Sequence, residues 1–310
     1  MWIPYFILEF WEPDETEIET IQASEGDTEE RTFEIVFFLE NPPSHRQGVD
    51  LRLGEAQIQT QIDEMSRQVT VRFQPNTDGR LWSVVFIVSD TNPKSAFRYC
   101  YDRLSPLLSF WALMTGSGFA ILGLRIIDTG HGAKWKVVPQ HSRPEEFAIP
   151  ASMTIGGEHG AMLSLYREAR NSQSPFYRFL CCYKILEAWY RNRDIFSYAD
   201  RIVRENNLPF RRPPRTVTHE MLVISMVFSR HPEFRDVRFG RFFELLNPWR
   251  RSVAHAITDE GEFLNFDRYE SLIEIGPIAN LTELVTRQVL LDESALLQDI
   301  ANAGFLDELS

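Results

Sequence analysis

The apolar residues of this chain change their period once, near residue 150, and that change restricts the fold more than any other feature of the sequence. From Arg67 to Phe73, Val69, Val71 and Phe73 alternate with Thr70 and Arg72, the two-residue period of a strand with one buried face. Segments 2–10, 32–40, 49–60, 67–73, 81–89, 119–127 and 133–138 read as strands by the same alternation or by their density of Ile, Val, Phe and Tyr. One helix interrupts them at about 94–114, where Phe97, Tyr101, Leu104, Leu108 and Trp111 recur at helical spacing. The acidic, Thr-rich stretch Glu12 to Glu30 reads as a solvated loop.

Pro139, Pro144 and Pro150, followed by Gly156 and Gly157, mark a boundary. Beyond it the apolar period is helical, and helices are expected over 157–171, 175–193, 194–206, 216–230, 240–257, 267–291 and 293–308. Pro248 and Pro277 fall inside two of these and should kink them or mark their true starts. Thr216 or Thr218 offers an N-cap for the helix that follows. The expected class is α+β: a β-rich sensing or scaffold domain with one long helix over 1–145, and an all-helical domain over 156–310. With 44% of its 310 residues hydrophobic, the chain has enough apolar surface for both.

Charge narrows the function. The formal net charge of −12 excludes a nonspecific nucleic-acid coat and an anionic-membrane binder, both of which need excess Lys and Arg. Residues 1–150 hold 13 basic and 22 acidic side chains, a net −9, against 19 and 22, a net −3, in the remainder. Phosphate contacts are therefore to be sought in the second half. Leu104 to Leu124 carries no charge, but Pro106 and Thr115-Gly116-Ser117-Gly118 interrupt it, so a buried helix, a turn and a strand are expected there rather than a membrane span. Met1 to Trp11 is apolar but has no basic leader and contains Pro4 and Glu9, so no export signal is read and a cytoplasmic location is expected. Cys100, Cys181 and Cys182 imply neither a disulfide framework nor a metal cluster and read as buried thiols in a reducing compartment.

The most informative segment is Asn247-Pro248-Trp249-Arg250-Arg251-Ser252-Val253-Ala254-His255-Ala256. On a helix Arg251 and His255 share a face, while Arg250 is rotated about 140° from His255. The segment resembles the signature of the HEPN superfamily: Arg, then a polar residue that is often Asn, then three residues and His, with Arg251 standing where Asn is usual. The helix Ser174-Pro175-Phe176-Tyr177-Arg178-Phe179-Leu180-Cys181-Cys182-Tyr183-Lys184-Ile185-Leu186-Glu187-Ala188-Trp189 is similar to the first long helix of Apea-like and MauJ-like (methylamine utilisation protein J-like) members. The likeness covers about half the chain, counting the helix that starts near Asp267.

That resemblance implies an antiparallel helical bundle, usually a homodimer through the helical domain, and a metal-independent endoribonuclease of a stress, toxin or phage-defence system. Arg250, Arg251 and His255 would be its catalytic set and Glu187 a supporting residue, with no metal and no cofactor. In the implied reaction the RNA 2′-hydroxyl attacks the adjacent phosphorus, His255 acts as general acid or base, and an Arg stabilises the phosphorane. Two alternatives stand beside it. Arg251 and His255 can instead satisfy carboxylates such as Glu187 or Glu244 within the bundle, and a MauJ-like protein can be a noncatalytic accessory or interaction module whose N-terminal half meets a protein partner or an activating ligand.

Arg211, Arg212 and Arg215 flank two prolines and form an RNA-binding candidate, weighed against pairing of the local Arg residues with Asp194, Asp200 and Glu205. His131 reads as a turn residue, and with His141 it makes no zinc spacing. Ile155 to Gly160 lacks the Lys and Ser/Thr of a phosphate loop, and His219-Glu220 lacks the second His of a metalloprotease helix.

Overall fold

In a computed structural model, the residues described are 12–13, 18–41, 46–47, 49–53, 55–62, 68–116, 118–137, 157–172, 174–191, 198–210, 215–256, 261 and 264–305. The strand expected at 2–10, all but the last residue of the boundary expected near 140–157 and the start of the helix expected at 194–206 lie outside them. The chain divides into two compact units, one of Met1–His141 with Phe266–Leu272 and one of Ser142–Asn265 with Ile273–Ser310.

The first unit is an antiparallel sheet of nine described strands: β1 (Glu12–Pro13), β2 (Arg31–Asn41), β3 (Arg46–Gln47), β4 (Val49–Arg52), β5 (Gln57–Ile62), β6 (Gln68–Pro75), β7 (Arg80–Asp90), β8 (Ala120–Asp128) and β9 (Lys134–Val137). Their order is β1-β9-β8-β2-β7-β6-β5, with β3 on β2 and β4 on β7. Strand β2 is central because Phe33, Ile35, Phe37 and Leu39 are wholly buried. In register, Phe37 lies opposite Val84 of β7 and Leu124 of β8. The single strand expected at 49–60 is two strands, β4 and β5, with different partners.

Helix α2 (Pro93–Thr115) covers the Phe37 face. Phe97 meets Phe37 at 5.8 Å between ring centroids, and Trp111 meets Phe73 at 5.9 Å. Asn92 caps the helix by accepting from the Ser95 amide at 2.8 Å, and Gly116 ends it at φ 66°, a left-handed position that glycine adopts without a steric penalty. Lys94, Arg98, Asp102 and Arg103 lie within it. No helix among the described residues is long and apolar enough to cross a membrane.

The stretch Glu12–Glu30 is not loop throughout, for it contains helix α1 (Ile18–Gly26). What orders it is polar. Ser24 of α1 is buried and donates to Asp128 at the end of β8 at 2.5 Å. Arg31 donates to the same carboxylate at 2.7 Å and to the carbonyls of Ser24, Asp27, Glu29 and Thr91. His131, in the turn after β8 as expected, sets Nδ1 3.1 Å from Asp128 and Nε2 3.4 Å from Asp27. Burial opposes ionisation of Asp128, but the bonds from Ser24, Arg31 and His131 outweigh it and hold the carboxyl at about 2.

The helices of the remaining chain are α3 (Gly157–Asn171), α4 (Pro175–Arg191), α5 (Tyr198–Glu205), α6 (His219–Ile224), α7 (Phe239–Leu245), α8 (Asn247–His255) and α9 (Tyr269–Asn302), with a 3₁₀ turn at Pro232–Phe234. Three expectations change here. The helix drawn at 216–230 stops at Ile224, because Met226 takes φ 62° and its neighbours close the end with bonds from the Met226 amide to Val223 O and from the Val227 amide to Leu222 O. The helix drawn at 240–257 is two helices, divided at Leu246, with Pro248 in the first turn of the second. The helices drawn at 267–291 and 293–308 are one: the Ser294 hydroxyl donates to Leu290 O within the helix, and Leu296, Leu297 and Ile300 continue the buried side.

The first turn of α9 belongs to the first unit. Tyr269 stacks edge-on against Phe97 at 5.5 Å, its amide donates to Asp102 at 2.8 Å, and Asp267 accepts from Ser105 and Ser109 at 3.0 and 2.8 Å.

Candidate functional site

Helix α8 carries Arg250, Arg251 and His255, and its other side fixes its orientation. Asn247 accepts from the Tyr183 hydroxyl of α4 at 3.0 Å and donates to Glu244 O at 2.8 Å, pinning the start of the helix. Trp249 packs against Phe234 at 5.8 Å and His231 at 5.4 Å, and Val253 is buried. Tyr183 stacks on Phe243 of α7 at 5.1 Å, which joins α4 to the segment leading into α8.

Helical geometry then settles the rest. Arg251 and His255 are both exposed, one turn apart on the outward face, and Arg250 is half-buried to one side. Among the described residues none pairs with any of the three side chains. The carboxylates offered as internal partners are engaged elsewhere, with Glu187 accepting from Lys184 at 2.9 Å and Glu244 from Arg241 at 2.6 Å. Ala256 ends the helix at φ 52°, directly after His255. The imidazole therefore stands in the last turn of the helix.

Arg215 does not stand free beside this helix. Its guanidinium forms a two-pronged pair with Asp292 of α9, at 2.8 Å to each oxygen. Arg211 and Arg212 lie outside the described residues. No group of three or more His, Cys, Asp and Glu among the described residues is placed to hold a metal.

Beneath α4 lies an ionic cluster that the sequence pattern does not single out. Arg178, buried on α4, donates to Glu283 of α9 at 3.2 Å, and Arg170 of α3 pairs with the other oxygen of the same carboxylate. Burial pushes the Arg178 guanidinium down and Glu283 resists that shift, while burial pushes the Cys182 thiol up. The available signal was a charged residue inside each of two largely apolar runs, Arg178 in Phe176–Tyr183 and Glu283 in Ile278–Val285. His159 of α3, also buried, bonds the Ser294 hydroxyl at 2.9 Å.

Comparison with known proteins agrees with the division of the chain. Residues 12–137 match the family model of the N-terminal domain of methylamine utilization protein MauJ, and residues 162–291 match the MauJ model itself. The chain belongs to the MauJ-like family. MauJ of Methylorubrum extorquens is 27% identical over 297 residues, 95% of this chain and 96% of that protein. MauJ of Paracoccus versutus is 28% identical over 189 residues, 61% of this chain and 63% of the relative. For MauJ of Paracoccus denitrificans the figures are 27% over 186 residues, 60% and 64%. No solved structure matches this MauJ-like chain.

Proposed function

We propose that the helical unit of this MauJ-like chain is a HEPN-type bundle and that two copies present Arg251 and His255 to RNA as a metal-independent endoribonuclease. The observation that carries the reading is the state of α8: its inner face is fully used by Tyr183, Trp249 and Val253, while the Arg251 and His255 face is exposed and without partners among the described residues. A guanidinium one turn from an imidazole matches what phosphate-ester cleavage needs. The guanidinium forks onto two phosphate oxygens and gains strength as charge develops there. His255 moves the proton of the 2′-hydroxyl or of the leaving 5′-oxygen. Dependence on the 2′-hydroxyl restricts the substrate to RNA. Arg251 stands where the superfamily usually has Asn, which adds positive charge to a surface whose half of the chain carries a net of only −3.

The second reading is a noncatalytic accessory protein, prompted by a match that covers 96% of a relative named for methylamine utilization. One experiment separates the two. Wild type and His255→Ala are incubated with total and transfer RNA in EDTA and the product ends analysed. Cleavage by wild type alone, leaving 2′,3′-cyclic phosphate, is the expected result. Equal cleavage by both, or none by folded wild type, turns the assignment to the accessory role.

A further inference from the structure

Strand β5 ends the described sheet, and among the described residues no strand pairs with its outer edge. Such an edge offers a row of unused backbone donors and acceptors, and soluble proteins usually blunt it with Lys, Pro, a bulge or a very short strand. Strand β5 does not follow that rule. Gln57-Ile58-Gln59-Thr60-Gln61-Ile62 contains no charge and no proline. Its register on β6 runs unbroken from Gln57 opposite Phe73 to Ile62 opposite Gln68, whereas β2–β8 and β6–β7 both carry register shifts. Gln57, Ile58, Gln59 and Thr60 are exposed, with Ile58 at 64%.

A second bare surface belongs to the same unit. The exposed positions of the first half of α2 include Lys94 and Arg98, but those of its second half include Leu107, Phe110, Leu113 and Met114, the last three exposed by 55%, 79% and 67%. Leu107, Phe110 and Met114 share one flank of the helix. On the other flank Ser105 and Ser109 both donate to Asp267. Trp111, which borders the bare flank, rests on Phe73 of β6, the strand beside β5.

We infer that this edge and flank bind a second copy of the chain, with β5 pairing antiparallel to β5 of the partner across a two-fold axis. The sequence is complementary to itself in that arrangement. An axis through Thr60 sets Thr60 opposite Thr60, Ile58 opposite Ile62 and Gln59 opposite Gln61, with no charge meeting a like charge. For a chain of net −12 this matters, because two copies repel each other over most of their surface, and a charge-free patch is where they can approach. One edge strand supplies too little area for a stable pair, which needs roughly 800 Å² from each partner, and the apolar flank of α2 supplies more. A dimer tied at β5 also holds two helical units on one particle, the stoichiometry the paired Arg and His site requires, yet the contact stands whether or not that site cuts RNA.

Mass is measured by light scattering and sedimentation on the full-length wild type, on Thr60→Lys, on Thr60→Glu and on their mixture. Position 60 is exposed, so circular dichroism should be unchanged in both variants. The expected result is twice the 36.1 kDa chain mass for wild type, monomer for each variant alone, and recovery of the dimer on mixing, where Lys faces Glu. A monomeric wild type, a dimer that survives either substitution, or a mixture that stays monomeric overturns the inference. None of these outcomes depends on RNA cleavage.

Discussion

Replacing Asp128 with Asn tests whether a buried polar hub, rather than apolar packing, holds α1 and the β8–β9 turn to the sheet. The carboxylate accepts from Ser24 Oγ, Arg31 Nε, the amides of Gly130 and His131, and His131 Nδ1. An amide keeps one acceptor for the backbone pair but turns a donor toward Arg31, which can only donate, and toward Ser24, whose hydroxyl must then switch from donor to acceptor. Arg31, its side chain only 8% exposed, then loses its nearer counter-charge and keeps only the Asp27 carboxylate 3.8 Å away; losing the partner of a buried pair costs about 3–5 kcal/mol. The four carbonyls that Arg31 also reaches, and the Phe33 ring 4.9 Å from its guanidinium carbon, keep it solvated in part. The expected loss is therefore near the lower end, about 3 kcal/mol.

The sign of the pH dependence follows from the carboxyl being held at about 2 rather than the ordinary 3.8. Its contribution is complete above pH 3.8 and is lost as pH falls through 2, and it amounts to about 2 kcal/mol. Urea unfolding of wild type, Asp128→Asn, Arg31→Met and the double variant, followed by fluorescence at pH 7 and at steps down to pH 2, measures both effects. A destabilisation under about 1 kcal/mol, additive single-variant effects, or an acid limb that persists in Asp128→Asn refutes the hub as the anchor.

Two further substitutions concern α8. Ala256→Gly should stabilise the chain by about 0.5–1 kcal/mol, because glycine takes the left-handed φ of 52° without a Cβ penalty; a lower midpoint in urea would show that the helix does not end there. Tyr183→Phe removes the bond to Asn247 and should cost about 1 kcal/mol in urea unfolding. If Asn247→Ala in the Tyr183→Phe background costs as much as it does alone, the two residues are not coupled.

The sheet was legible because alternation shows in β6 and β7 and β2 is dense in Phe, Ile and Val, and α2 because its buried residues, Pro93 to Leu108, keep one helical period over about four turns. Helix α1 was not, since its order comes from Ser24 and Arg31 meeting Asp128, a contact 97 to 104 residues away in sequence that no local pattern encodes. The end of α6 was hidden for a different reason. Met226 takes a backbone conformation usually left to glycine, and it is nearly buried, so side-chain burial retains there a residue that local propensity would not choose. At the candidate site the pattern showed which residues share a face of α8 but not which face is inward. Arg251 and His255 could be drawn as buried partners of Glu187 and Glu244 until Lys184 and Arg241 were seen to hold those carboxylates.

The exposure of Arg251 and His255 is dictated by their neighbours. Val253, Trp249 and the Asn247 bond to Tyr183 turn one side of a nine-residue helix inward, and every residue opposite must face solvent, whatever its chemistry. Exposure by itself therefore does not distinguish a reactive pair from an ordinary surface. The proposal of a reactive pair rests instead on the combination of rigidity beneath the pair and freedom above it. The helix is seated through Tyr183 on α4, and α4 is tied through Arg178 and Glu283 to α9 and through Glu283 to Arg170 of α3. A charged side chain on such a base loses less entropy on meeting a phosphate than one on a loop, so the framework that ties these helices together would also preorganise Arg251 and His255 for the proposed RNA contact.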